Sequence, residues 1–221
     1  MKKKSKKCLC VAIGLFMLFV IWTVLLRCID VKTIGPLGSS VGFATLNSIA
    51  RNIVGFNMLL YIITDWFGII PIATALGFAV LGVKQWISRK SLFKVDYSIF
   101  ALGIFYIAVI AVFCFFEVVV INYRPVLIFG ELEASYPSST TMLVMCVMPT
   151  AAMQLEFRIK NLILKKCIMI GIIIFVILTV VIRFLSGVHW LTDIIGGLLI
   201  SAGLVIMYYA LVGVNLTRHA I

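Results

Sequence analysis

Six apolar runs, each about the 20 residues a helix needs to cross a bilayer, leave this chain little choice of fold. They cover residues 8–27, 67–87, 97–121, 139–156, 167–184 and 191–213, and the charged residues fall mostly between them. Only 12% of the 221 residues are Asp, Glu, Lys or Arg, against about 25% in an average soluble domain. A helix satisfies its own backbone polar groups inside hydrocarbon. The expected architecture is therefore an all-α integral membrane protein with six transmembrane helices. The stretch from Gly42 to Trp66 is apolar but interrupted by Asn47, Arg51, Asn52, Asn57 and Asp65, which predicts an outer amphipathic helical segment at the membrane interface. A seventh span there is the weaker alternative.

The basic residues orient the bundle, because short cytoplasmic loops hold the excess of Lys and Arg. Lys2, Lys3, Lys4, Lys6 and Lys7 precede the first span; Lys84 lies in the last turn of the second, and Arg89, Lys90 and Lys94 follow it. Arg158, Lys160, Lys165 and Lys166 lie between the fourth and fifth, and Arg218 follows the sixth near the C-terminus. Both termini are expected to be cytoplasmic. Arg27, Lys32, Arg51, Arg124 and Arg183 fall on the opposite face. The formal charge of +11 reflects this pattern and the attraction of anionic headgroups, so no nucleic-acid partner is expected. No small-residue cleavage site follows the first apolar run, which is expected to remain as a helix.

Five of the six cysteines fall within or at the ends of spans, which argues against a disulfide framework. Without an internal repeat or a linker, residues 1–221 read as a single domain. Residues 1–66 give a first span and the outer segment, and residues 67–214 give a core.

Ionisable groups at membrane depth are costly and point to function. Three polar tracts stand out on the outward face: Arg124-Pro125 after the third span, Tyr136-Pro137-Ser138-Ser139-Thr140-Thr141 opening the fourth, and the tract Arg183 to Asp193 joining the fifth to the sixth. In the last, His189 lies six residues after Arg183 and Asp193 four further on, in a chain with only two histidines. Each residue has an ordinary reading. The arginines suit the interface as long side chains whose heads reach water, and His189 with Trp190 suits an interfacial aromatic belt. Pro-Ser-Ser-Thr is also an ordinary helix start. The joint spacing is what lifts the set above them.

In order, spacing and six-helix frame the tracts resemble the type 2 phosphatidic acid phosphatase superfamily, from Trp66 onward. Its three signatures are a Lys followed seven residues later by Arg-Pro, then Pro-Ser-Gly-His, then Arg with His six residues on and Asp four further. The third is intact as Arg183, His189 and Asp193, with Gly196 and Gly197 following. The resemblance implies a membrane lipid phosphatase working through a phosphohistidine intermediate. His189 would attack phosphorus while Asp193 holds its other ring nitrogen. Arg124 and Arg183 would clamp the phosphate oxygens, with Ser138, Ser139 and amides at the start of the fourth helix as further donors. The substrate would be a lipid phosphate in the membrane. No cofactor or metal is expected, since the family's chemistry is metal-independent and one histidine without a ligand cluster makes no metal site. The sequence names no protein partner.

Two positions depart from the pattern. Glu117 stands where the family has its first-signature lysine, and Thr140 stands where it has the histidine that protonates the leaving group. A threonine hydroxyl cannot act as a general acid near neutral pH. Losing such help costs about 10²- to 10⁴-fold for an alkoxide leaving group. A phosphomonoester leaving a diphosphate has a second pKa of about 6 and departs without a proton. A polyprenyl diphosphate such as undecaprenyl diphosphate is accordingly the favoured substrate. Glu117, nearly two helical turns before Arg124, is expected to pair with it; the alternative is that Glu117 supplies the missing proton. Glu131 and Glu133 are weaker candidates for that role, with solvation as their ordinary reading. From another functional class, the site would bind or transport a lipid phosphate without efficient turnover. A short six-span chain suits a bacterial plasma membrane, with its active site extracytoplasmic.

Overall fold

Six helices long and apolar enough to cross a membrane dominate a computed structural model that describes residues 2–216. Arg218, assigned above to the cytoplasmic C-terminus, lies outside the described residues. The elements are α1 (Lys2–Cys28), α2 (Ala44–Val54), α3 (Met58–Phe67), α4 (Ile69–Arg89), α5 (Tyr97–Val118), α6 (Ser139–Arg158), α7 (Leu162–Leu185) and α8 (Leu191–Leu216). The ends follow ordinary helix chemistry. Asn161 accepts from the amides of Ile163 and Leu164 to start α7, and Asn57 accepts from Leu60 to start α3.

The spans are unequal in burial, and the sequence shows why. About half of α6 and α8 is buried (56% and 50%), against 11–22% of the other four. Of the six, α6 is also the least apolar, with a mean hydropathy of 1.2 against 3.0 for α7. Its Thr141, Thr150 and Gln154 are fully buried and face protein rather than lipid. The core joins α1, α5, α6 and α8 around Phe19, Leu102, Phe105, Phe116, Tyr136 and Tyr208. Tyr136 anchors it beneath the site, stacking on Phe19 with its hydroxyl 2.7 Å from Thr23 Oγ1. Gly196 of α8 lets this ring approach, since a Cβ there would sit 2.3 Å from Tyr136 Cε2.

The stretch 42–66 is not one interfacial helix. It is two helices, α2 and α3, separated at Gly55, and α3 continues past Gly68 into α4, so that Met58–Arg89 forms one long apolar element. Gly55 has a φ of 71°, a backbone that glycine adopts without cost. It packs against the α7–α8 turn, where Gly187 has a φ of 67° and a Cβ would lie 1.9 Å from the Gly55 carbonyl oxygen. The amide of Asn57 donates to Ser186 O at 3.0 Å, and Arg51 Nη1 donates to Gly187 O at 2.9 Å. Asn47 brackets Thr192, donating to its hydroxyl and accepting from its amide. The outer helices therefore clasp the turn that carries His189. The third span is shorter than expected, ending at Val118 rather than residue 121.

Candidate active site

Residues 122–135 form a narrow hairpin loop between α5 and α6. Ser135 N donates to Asn122 O at 2.9 Å and Arg124 N to Glu133 O at 3.0 Å, and the chain reverses between Ile128 and Glu131 through Phe129 and Gly130, both at positive φ. Side chains alternate in such a ladder, so Asn122 and Arg124 share one face with their partners Ser135 and Glu133. That face meets the start of α8.

Asp193 is fully buried there as the third residue of α8. Its Oδ2 accepts from Trp190 N at 3.0 Å, which caps the helix in the manner of an acidic capping box. The same oxygen lies 2.5 Å from Ser135 Oγ, and Oδ1 accepts from Asn122 Nδ2 at 3.1 Å. His189 Nδ1 is 2.9 Å from Ser135 Oγ and 3.1 Å from Ser135 O. A carbonyl only accepts, and the Ser135 hydroxyl is committed to the Asp193 carboxylate. These partners assign the ring proton to Nδ1 and leave the Nε2 lone pair bare. Nε2 is buried with no hydrogen-bond partner. Burial pushes the imidazole well below its ordinary 6.5, and the charges of Arg183 and Arg124 push the same way. The ring is neutral near pH 7.

Arg183, near the end of α7, is 1% exposed. Its Nη1 donates to Asp65 Oδ1 at 2.8 Å and to Thr64 Oγ1 at 3.0 Å, while Nε is buried without a partner. Arg124 approaches Glu133 Oε2 at 3.0 Å through Nε, an ion pair that lacks hydrogen-bond alignment, and its Nη1 is buried and unpartnered. Both guanidinium groups lie over the ring of Tyr61, at 4.8 Å for Arg183 and 5.7 Å for Arg124. One aromatic ring thus gathers two like charges, and both act on His189. Buried polar groups ordinarily find partners. Unsatisfied N–H donors from two arginines and an unsatisfied imidazole nitrogen together describe a site shaped for an oxyanion. Among the described residues no three His, Cys, Asp or Glu side chains gather as metal ligands.

The sequence-read residues are distributed as follows. His189, Arg183 and Arg124 come together, and Asp193 reaches the imidazole through Ser135 rather than directly. Ser138 is fully buried; its amide donates to Asp193 O and its hydroxyl accepts from Thr141. Ser139 lines two recesses beside the site, one with His189 and one with Thr140. The expected Glu117–Arg124 ion pair is not formed. Helix α5 stops at Val118, so helical spacing does not carry across to Arg124, and the hairpin puts Glu133 opposite it instead. Glu133 is a pairing residue rather than merely solvated. Ser135, Asn122, Tyr61 and Asp65 were not singled out as site residues from the sequence. For Ser135 and Asn122 the available signal was the alternation about the Phe129-Gly130 turn.

The Ser135 bridge has a measurable weight if His189 acts as a nucleophile. Ser135→Ala removes the hydroxyl link to Asp193 but keeps the backbone carbonyl that fixes the tautomer. The expected loss in kcat is about 10- to 100-fold, the usual range for a partner that orients a reacting group. A variant that loses nothing would show that Asp193 acts only as a helix cap.

The fold is a bundle of apolar helices long enough to cross a membrane, with His189, Arg124 and Arg183 brought together at one end. Residues 109–216, from within α5 to the end of α8, match the PAP2 superfamily. Over 92% of its length the chain also superposes on a structure from Bacillus subtilis described as the first transmembrane PAP2-type phosphatidylglycerolphosphate phosphatase, with a TM-score of 0.59, 20% identity and 95% of that chain covered. At this identity the likeness is one of fold. No curated protein matches the chain in sequence.

Proposed function

We propose that this chain is a membrane lipid phosphatase that transfers a phosphoryl group from a lipid phosphate to His189 and then to water. The carrying observation is the bare Nε2 of His189, buried beside unsatisfied N–H donors of Arg124 and Arg183. Nε2 forms a bond to phosphorus as the bond to the lipid-borne oxygen breaks. The Nδ1 proton stays on the ring, and the resulting positive charge is stabilised by Ser135 and, through it, by Asp193. Arg124 and Arg183 bind the nonbridging oxygens, whose charge is largest in the transition state. Water then attacks phosphorus, the P–N bond breaks, and inorganic phosphate leaves.

A polyprenyl diphosphate is the favoured substrate, since its leaving phosphate needs no proton. The basic residues Lys84, Arg89, Arg158 and Lys165 belong to the α4–α5 and α6–α7 ends, away from the α7–α8 turn, which supports an extracytoplasmic site and cytoplasmic termini in a bacterial plasma membrane. A second reading, lipid-phosphate binding or transport with little turnover, draws on Thr140 and on the carboxylates that already occupy both arginines.

Phosphate release from a polyprenyl diphosphate and from phosphatidate, each by purified protein in chelator, tests the assignment. Release is expected from both, faster from the diphosphate. Faster release from phosphatidate would overturn the leaving-group argument, and binding without release from either lipid would select the transport reading.

A further inference from the structure

With Thr140 unable to donate a proton, a lipid alkoxide leaving group needs another acid. Glu133 faces Arg124 across the hairpin but lines neither cavity beside the site; two other carboxylates do, from different cavities. Glu117 lines a small recess together with His189, Ser135 and Pro137. It therefore approaches the nucleophile's own surroundings. Asp65 lines a separate cavity of about 380 Å³ with Ser139 and Thr140 at its polar rim, while Ile72, Val109, Phe113 and Leu143 supply an apolar wall. His189 does not border that cavity. In phosphoryl transfer the attacking and leaving atoms lie roughly in line across phosphorus. The proton donor for the leaving oxygen therefore belongs on the side away from His189, next to the space that receives the lipid chain.

Asp65 meets these conditions. Its Oδ1 lies 2.8 Å from Arg183 Nη1, so it adjoins the phosphate clamp, and its side chain is 47% exposed. The charged or titratable groups around it are Arg183 from α7, Arg124 from the hairpin and Tyr61 on its own helix. An incoming phosphate competes with Asp65 for Arg183.

Resting on the phosphatase reading above, we propose that Asp65 is the acid–base of the reaction, taking the role that Thr140 cannot perform. As Nε2 of His189 bonds to phosphorus and the P–O bond to the lipid breaks, the Asp65 carboxyl proton passes to the leaving oxygen. In the second step water bonds to phosphorus, the P–N bond breaks, and the proton from water returns to the Asp65 carboxylate. The net reaction is ester plus water to alcohol plus phosphate. Asp65 lies outside residues 109–216 that match the superfamily, so the acid comes from a different part of the chain than the nucleophile.

The test uses two substrates that transfer the same phosphoryl group, dodecyl phosphate with a poor leaving group and 4-nitrophenyl phosphate with a good one. Asp65→Asn is expected to lower kcat on dodecyl phosphate by about 10²-fold or more, at least tenfold beyond its loss on 4-nitrophenyl phosphate. Equal losses on both would overturn the proposal and leave Asp65 as a residue that only orients Arg183. Asp65→Glu keeps the carboxyl, and covers the case in which the asparagine variant does not fold. It is expected to slow dodecyl phosphate selectively and less severely, and equal slowing of the two would again overturn the proposal. His189→Ala, run alongside, separates the two levels, because undiminished release from that variant would remove the phosphatase reading itself.

Discussion

His189→Ala is expected to lower phosphate release by about 10⁴- to 10⁶-fold, the scale seen when the nucleophile of a covalent mechanism is removed. It is also expected to abolish any phosphoenzyme trapped from labelled substrate. The fold should survive the change. Nε2 has no partner to lose, and Ser135 remains tied to Asp193 when the imidazole is gone. Acid should act on the same group. Burial and the charges of Arg183 and Arg124 hold the ring below its ordinary 6.5, so the lone pair is available at pH 6.5 and the acid limb of kcat/KM due to His189 falls below that pH. For stability the sign follows from proton counting. The unfolded chain takes up a proton near 6.5 and the folded chain does not, so the contribution is full above 6.5 and shrinks as pH drops toward the folded value. Release within tenfold of wild type from the alanine variant would sink the phosphohistidine mechanism.

Much of this arrangement was legible in the sequence because it depends on local composition and short spacing. The six apolar runs announce the six spans, and the Arg183-to-Asp193 tract is a single helix end, turn and helix start. What failed was what crosses the chain. Glu117 and Arg124 are seven residues apart, but the pairing argument assumed one continuous helix, and the helix stops at Val118. Ser135 sits 54 residues from His189, and its role depends on a hairpin whose only sequence mark is the alternation around Phe129-Gly130. Asp65 was treated as a break in an apolar stretch and Tyr61 was passed over, since nothing in their own neighbourhood tells that Arg183, more than a hundred residues later, will lie on Tyr61 and donate to Asp65. The outer segment was read as an amphipathic stretch at the membrane interface. Its helices instead hold the α7–α8 turn through Asn47, Arg51 and Asn57, contacts that need Gly55 and Gly187 to bring two backbones together.

Arg183 should be the next most sensitive position, and the lysine variant tells more than the alanine. Arg183→Ala is expected to cost about 10³- to 10⁵-fold in kcat/KM, as for an arginine that neutralises a transferring phosphoryl group. It also empties a large, fully buried volume, so its loss mixes catalysis with folding. Arg183→Lys keeps the charge and most of the volume. A single ammonium cannot reproduce the planar fork that holds Asp65 and Thr64 through Nη1 while Nε remains available to a ligand. The expected loss in kcat/KM is about 10²- to 10³-fold. The stability cost should be small by comparison. The lysine still offers a cation to Asp65, whose side chain is 47% exposed, Thr64 keeps its own helix carbonyl acceptors, and an ammonium still lies over the Tyr61 ring. Arg124→Lys should cost less than Arg183→Lys, because Arg124 Nε faces the Glu133 carboxylate at 3.0 Å and its fork is already partly engaged. Steady-state kinetics beside thermal melts would check the ordering. If both lysine variants lose activity only in proportion to lost folding, the arginines are structural supports of the Tyr61 face and the phosphate clamp has been assigned to the wrong residues.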